Sequence, residues 1–297
     1  MGRRTGRTAL ARWVCAAALV VALGACEVPP PEGPYPLRYR DMTFSVQTTP
    51  DLQYGQAPGP GGTPQKLLLD VYAPAGDTAA KRPAVIWMHG GSFKYGSRKD
   101  SMTVELAQRF ARRGYVAVSI SYRLLAEEAC GGSASTERCM PAALAAADDE
   151  RAAIRYLRSR AAELRIDPDR IAIGGISAGG VASVLAGATA DTPGTSGNPG
   201  PSSAARAVVS ISGGLPTNLV FTAGDPPTLF WHGMEDTVVP FEWAHSNARY
   251  MMQNGLIGVL RYVEGAGHVP GAQFDDMDAQ ARNFLYKMLS LAGAVTE

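Results

Sequence analysis

Histidine and cysteine are scarce in this chain, four of each among 297 residues. The shortage matters because metal sites are built from them. Cys130 and Cys139 are accompanied by no second cysteine or histidine pair at ligand spacing, so no metal is expected. The phosphate-cradling patterns G-x-G-x-x-G and G-K-[ST] are both missing from the glycine-rich turn around residue 177. Residues 13–25 form an apolar run too short to span a bilayer. No excess of positive charge exists to attract a polyanion: beyond residue 26, 24 basic residues face 27 acidic ones, a formal charge of −3, and no nucleic-acid partner is expected. Neither an internal repeat nor a second linker divides the chain, which favours one large domain.

What is present begins with an address. Residues 1–12 carry Arg3, Arg4, Arg7 and Arg12 and no acid, and the short apolar run follows, the pattern of a secretory signal peptide over residues 1–25. Leu23-Gly24-Ala25-Cys26 resembles a bacterial lipobox. Cys26 is therefore the expected lipid anchor, with the protein exported and held at the bacterial cell envelope. Arg3-Arg4 lacks the hydrophobic pair of a twin-arginine signal, which leaves the export route open. Residues 26–42 are proline-rich and suit an extended tether, with a catalytic body over residues 43–297. In an exported protein, Cys130 and Cys139 are expected to form a disulfide. Its ten-residue loop would stabilise the fold by roughly 2.5 to 3 kcal/mol on the chain-entropy model.

Alternating patterns in the body predict an α/β architecture. Residues 43–73 read as an antiparallel edge hairpin, and residues 84–88, 115–121, 171–176, 207–211, 228–232 and 257–263 as further strands. Helices are expected at 101–113, from Pro141 onward, after Ser177, at 241–254 and at 273–292. Strands alternating with helices imply a mostly parallel sheet covered on both faces, with ligands beyond the carboxyl ends of the strands.

Four features fall at such ends. Gly175-Ile176-Ser177-Ala178-Gly179 fits the nucleophile elbow, in which a strained turn lifts a serine above the sheet. A serine hydroxyl needs a histidine to take its proton and a carboxylate to orient that histidine. His268, in the small-residue loop Gly265-Ala266-Gly267-His268, is the best base. His89 reads instead as a packing or hydrogen-bonding residue of its turn, His245 lies mid-helix, and His232 ends an apolar strand. Asp236 completes the order Ser, Asp, His; Glu235 and Asp225 are the rivals. The oxyanion donors are expected to be backbone N–H groups of Gly91, Ser92 and Ala178.

Together with Ser121-Tyr122-Arg123-Leu124 and Ile166-Asp167-Pro168-Asp169-Arg170-Ile171, these motifs resemble the α/β-hydrolase superfamily over roughly residues 50–293. The similarity is closest to its bacterial carboxylesterase and feruloyl- and acetyl-esterase-like branch. That resemblance implies an eight-stranded sheet and ester hydrolysis through an acyl-serine, without metal or cofactor. Two departures stand out. Ser92 occupies a position that is often a third glycine in related lipolytic enzymes, and the acid arrives as His232-Gly233-Met234-Glu235-Asp236, a form more like dienelactone hydrolases and prolyl-oligopeptidase relatives. Only about 16 residues join the strands at 207 and 228, too few for a lid domain. An open site for short-chain, aromatic or sugar esters is therefore expected, with the Cys130–Cys139 loop on its rim. A serine exopeptidase or amidase, and a non-catalytic binding protein on the same scaffold, are the alternatives.

Overall fold

The computed structural model describes residues 27–131, 136–218 and 220–293; the expected signal segment and Cys26 lie outside them. Eight strands, β1 (Val46–Pro58), β2 (Pro64–Pro74), β3 (Arg82–Met88), β4 (Val116–Ile120), β5 (Ile166–Ile176), β6 (Val208–Ile211), β7 (Thr228–Gly233) and β8 (Gly258–Val263), make one sheet. Its order is β1-β2-β4-β3-β5-β6-β7-β8. The hairpin β1–β2 and the β2–β4 pair are antiparallel, and every other neighbour is parallel.

Helices α1 (Ser101–Arg112), α2 (Thr136–Ser159), α3 (Ala161–Leu164), α4 (Ala178–Ala188), α5 (Phe241–Gln253) and α6 (Phe274–Met288) complete the fold. The two-residue period of β3 assigns the faces. Ala84, Ile86 and Met88 enter a core shared with α2, α4 and α5, whereas Val85 and Trp87 enter a second core with α1 and α6. Because both faces are covered, the central strands are mostly apolar, and β3, β4 and β6 are buried at every position, Ser119 and Ser210 included. Helix α1 begins where Asp100 accepts a hydrogen bond from the Thr103 N–H (3.2 Å), and it ends with Arg109 and Arg112 in its last turn.

Three sequence expectations are corrected. Helix α2 starts at Thr136 rather than at Pro141. Pro141 lies inside the helix, where it removes one backbone hydrogen bond and crowds the carbonyl four residues before it, and the disulfide between Cys130 and Cys139 ties the extra turn to the preceding loop. Helix α6 stops at Met288, and Ser290, at φ 54°, separates it from a short 3₁₀ turn. Residues 27–42, read as a tether, lie along the body instead. Val28 is buried between its N–H bond to Gln280 Oε1 (2.8 Å) and its carbonyl bond from Asn283 Nδ2 (2.7 Å). Further along, Arg38 makes a bidentate pair with Asp77, and buried Tyr39 packs edge-on against Tyr115. A proline-rich composition predicts no helix or strand here, but it does not prevent side chains from docking.

Glu150 on α2 is fully buried; its Oε1 accepts from Ser183 Oγ on α4 (3.0 Å), and its Oε2 has no partner among the described residues. Burial pushes the carboxyl well above its ordinary value, more than Ser183 and Arg151 pull it down. A raised folded-state value means that the group's stabilising contribution is complete below the unfolded carboxylate range and is lost as pH rises through the folded value. Glu150→Gln, which keeps the shape without the charge, is expected to raise Tm relative to wild type by an amount that grows as pH rises above the unfolded carboxylate range. A Tm difference that does not change with pH in thermal melts would contradict the burial argument.

Candidate active site

Ser177 sits between β5 and α4 at φ 56° and ψ −119°, a conformation costly to a residue with a β-carbon. The neighbouring glycines are required by the crossing of strand and helix. A β-carbon on Gly175 would lie 2.4 Å from the Gly179 carbonyl carbon, and one on Gly179 would lie 2.6 Å from both the Met88 and His89 oxygens. The Ser177 N–H is tied to the Ile211 carbonyl at the end of β6 (2.8 Å), which leaves Oγ pointing beyond the sheet.

The three expected side chains meet there. His268 Nε2 is 2.8 Å from Ser177 Oγ, and His268 Nδ1 is 2.7 Å from Asp236 Oδ2. The two loops that carry them are locked to each other: the Glu235 N–H donates to the Ala266 carbonyl (2.8 Å), and a β-carbon on Gly233 would strike the Gly267 oxygen at 2.2 Å. The Val269 N–H donates to Ser212 Oγ (3.1 Å), fixing the far side of the histidine loop. Asp236 Oδ1 accepts the N–H groups of Val238 and Val239, each at 2.9 Å. Burial alone would raise the Asp236 carboxyl. Hydrogen bonds from His232, His268 and the Val239 N–H outweigh it and hold the acid well below the usual carboxylate range. Of the rivals, Glu235 is exposed, and Asp225 caps its own turn at Thr222.

The turn after β3 approaches from the other side. Gly91, Ser92 and Phe93 all have positive φ, and the Gly91 carbonyl accepts the Lys94 and Tyr95 N–H groups (3.0 and 2.9 Å). His89 supports the turn from below, as its sequence context suggested: its ring stacks on Tyr122 at 4.3 Å, and its Nδ1 lies 2.6 Å from the Gly90 carbonyl. Ser92 and Ala178 line the pocket beside Ser177, and neither of their N–H groups is used in a loop or cap hydrogen bond among the described residues. Gly91 does not line it. A β-carbon there would strike the Tyr95 oxygen at 2.2 Å, and the Gly91 N–H, like that of Ser92, is used in no loop or cap hydrogen bond among the described residues.

That pocket, about 500 Å³ including its mouth, has walls of Phe93, Met140, Val181, Pro216 and Trp243 and the disulfide of Cys130 and Cys139. No ionisable side chain lines it among the described residues. The connection from β6 to β7 contributes Pro216 but no helix among its described residues. What the sequence reading missed is His232. It sits near the end of β7, as its sequence context implies, and its Nε2 also lies 3.0 Å from Asp236 Oδ2. The four-residue spacing across Gly233 was the available signal.

A BD-FAE family model matches residues 69–220. Among curated relatives, Carboxylesterase NlhH of Mycobacterium tuberculosis is 36% identical over 105 residues, 35% of this chain and 28% of that protein. Secreted lipase 5 of Gibberella zeae is 31% identical over 127 residues, 39% of this chain and 23% of that protein. The chain thus spans less than a third of the length of these relatives. Among solved structures, Thermogutta terrifontis esterase 2 phosphorylated by paraoxon superposes with a TM-score of 0.64 at 27% identity, covering 85% of this chain and 97% of that one. The same esterase has also been solved with propionate bound.

Proposed function

The chain belongs to the BD-FAE family on an α/β-hydrolase fold, and from that premise we propose that it is a serine hydrolase of carboxylic esters. The single observation that supports this most is the continuous line from Ser177 Oγ through His268 to Asp236, at 2.8 and 2.7 Å. Ser177 Oγ attacks the ester carbonyl as its proton passes to His268 Nε2, and Asp236 holds the imidazole and stabilises its cation. The oxygen that becomes negative is met by the N–H groups of Ser92 and Ala178. Collapse of the intermediate expels the alcohol, which takes the proton from His268. Water activated by the same histidine then releases the acid from the acyl-serine. Side chains and backbone N–H groups carry every step.

The uncharged apolar walls favour short acyl or aromatic groups, and the mouth leaves room for a sugar alcohol. Propionate in the related esterase is in keeping with a short acid. An exopeptidase would need a charged partner for the end of its peptide, and the lining supplies none among the described residues. Export and lipid attachment at Cys26 are proposed from the sequence alone.

Paraoxon tests the reaction, because a competent serine displaces nitrophenolate and keeps the diethylphosphoryl group. One equivalent of nitrophenolate per chain, the added mass on the peptide containing Ser177 and loss of esterase activity are expected. No label on Ser177 would defeat the hydrolase reading. Separately, kcat/KM for 4-nitrophenyl esters is expected to peak at C4 or shorter, and a steady rise to C12 would overturn the substrate class.

A further inference from the structure

His232 is a second histidine on the Asp236 carboxylate. Its side chain is completely buried at the end of β7, and its Nε2 lies 3.0 Å from Asp236 Oδ2 and 2.9 Å from the Val239 carbonyl oxygen. Both neighbours are acceptors only, so Nε2 carries the hydrogen and shares it between them. Nδ1 has no hydrogen-bond partner among the described residues. A hydrogen there would be a buried orphan donor, which a native core avoids. The ring has little freedom to turn. Phe241 packs against it edge-on at 6.0 Å and is itself held by His245, stacked at 5.8 Å, and by Tyr262, edge-on at 5.9 Å.

Resting on the hydrolase reading above, we propose that His232 is a positioning residue: its Nε2–H fixes the Asp236 carboxylate in the orientation that aligns His268 with Ser177. Asp236 then has four donors, the Val238 and Val239 N–H groups on Oδ1 and the two imidazoles on Oδ2. With both oxygens engaged, the carboxylate cannot rotate about its last bond without breaking at least two hydrogen bonds. His232 also draws part of the negative charge toward the interior, so the carboxylate's hold on the His268 cation is moderated. The charged and titratable groups around this arrangement are few. Asp236 faces His232 directly, His268 lies beyond that carboxylate, His245 and Tyr262 sit behind Phe241, and Glu235 points to solvent.

The test compares His232→Phe, which keeps the ring but removes the donor, with His232→Gln, whose amide Nε2 can replace it. With 4-nitrophenyl acetate, the Phe variant is expected to lose about 10- to 100-fold in kcat, the span of one hydrogen bond to a charged group, with little change in KM. The acidic limb of its kcat/KM profile is expected to move to higher pH, because a carboxylate with one donor fewer binds the protonated base more strongly. The Gln variant is expected to regain most of the rate and the wild-type limb. An unmoved acidic limb in the Phe variant, or a Gln variant as impaired as Phe, would overturn the proposal. Should the Phe variant fail to fold, His232→Asn, whose amide is too short to reach Oδ2, replaces it with the same expectations, and identical Asn and Gln profiles would overturn the proposal. Paraoxon labelling of wild-type Ser177 is independent of these results, so failure of the hydrolase reading is distinguishable from failure of this one.

Discussion

Ser177→Ala is expected to lower kcat for 4-nitrophenyl acetate by about 10⁴- to 10⁶-fold, the range seen when a serine nucleophile is deleted from a three-residue catalytic unit. The fold should tolerate the change. Alanine and serine meet the same cost at φ 56°, and among the described residues the lost hydroxyl bonds only to His268 Nε2 at 2.8 Å. His268→Ala should be nearly as damaging, since without a base the hydroxyl remains protonated. The decisive measurement is the double variant. If the two side chains act as one unit, removing both costs little more than removing either; penalties that multiply would mean that they act separately. Retention of more than about one part in a hundred of the wild-type rate by Ser177→Ala would remove the serine from its assigned role, since it far exceeds what such sites keep.

Asp236→Asn is expected to cost about 10⁴-fold in kcat with the site geometrically intact. The reason lies in how the acid is held. Oδ1 accepts two backbone N–H groups, so an asparagine must place its oxygen there and its NH₂ where Oδ2 was. That NH₂ would confront the Nδ1–H of His268 and the Nε2–H of His232, which Oδ2 now accepts. His268 could restore its bond only by moving its hydrogen to Nε2, which leaves it unable to take a proton from Ser177. Pre-steady-state measurement of nitrophenolate release should therefore show acylation itself slowed. A loss below about 10-fold would mean that tautomer control by Asp236 is not what the rate depends on.

Much of the site was legible because it depends on local constraints. The Ser177 turn announces itself through Gly175, whose missing side chain answers a clash with the backbone of Gly179 four residues on, and through Gly179, which is pressed against the end of β3. Strands such as 84–88 were legible because a parallel strand covered on both faces is apolar along most of its length. The boundaries that moved were those set by distant partners. Helix α2 gains its first turn beside a disulfide, and residues 27–42 are held by Gln280, Asn283, Asp77 and Tyr115, to which no local pattern points. His232 escaped notice for a related reason. As a histidine ending a buried strand it looked like core, and only the turn that follows β7 at residues 234–235 brings Asp236 back beside its ring.

The docking of Val28 beneath Gln280 and Asn283 also limits how the protein could be moored. If Cys26 bears lipid, only the short link through Glu27 separates the mooring from a fixed point on the body, a reach of about 7 Å at full extension. An enzyme so attached could not sweep the space above the bilayer on a leash. It would ride flush, with its flank toward the headgroups, and would encounter substrates by lateral drift and by whatever diffuses in from the side.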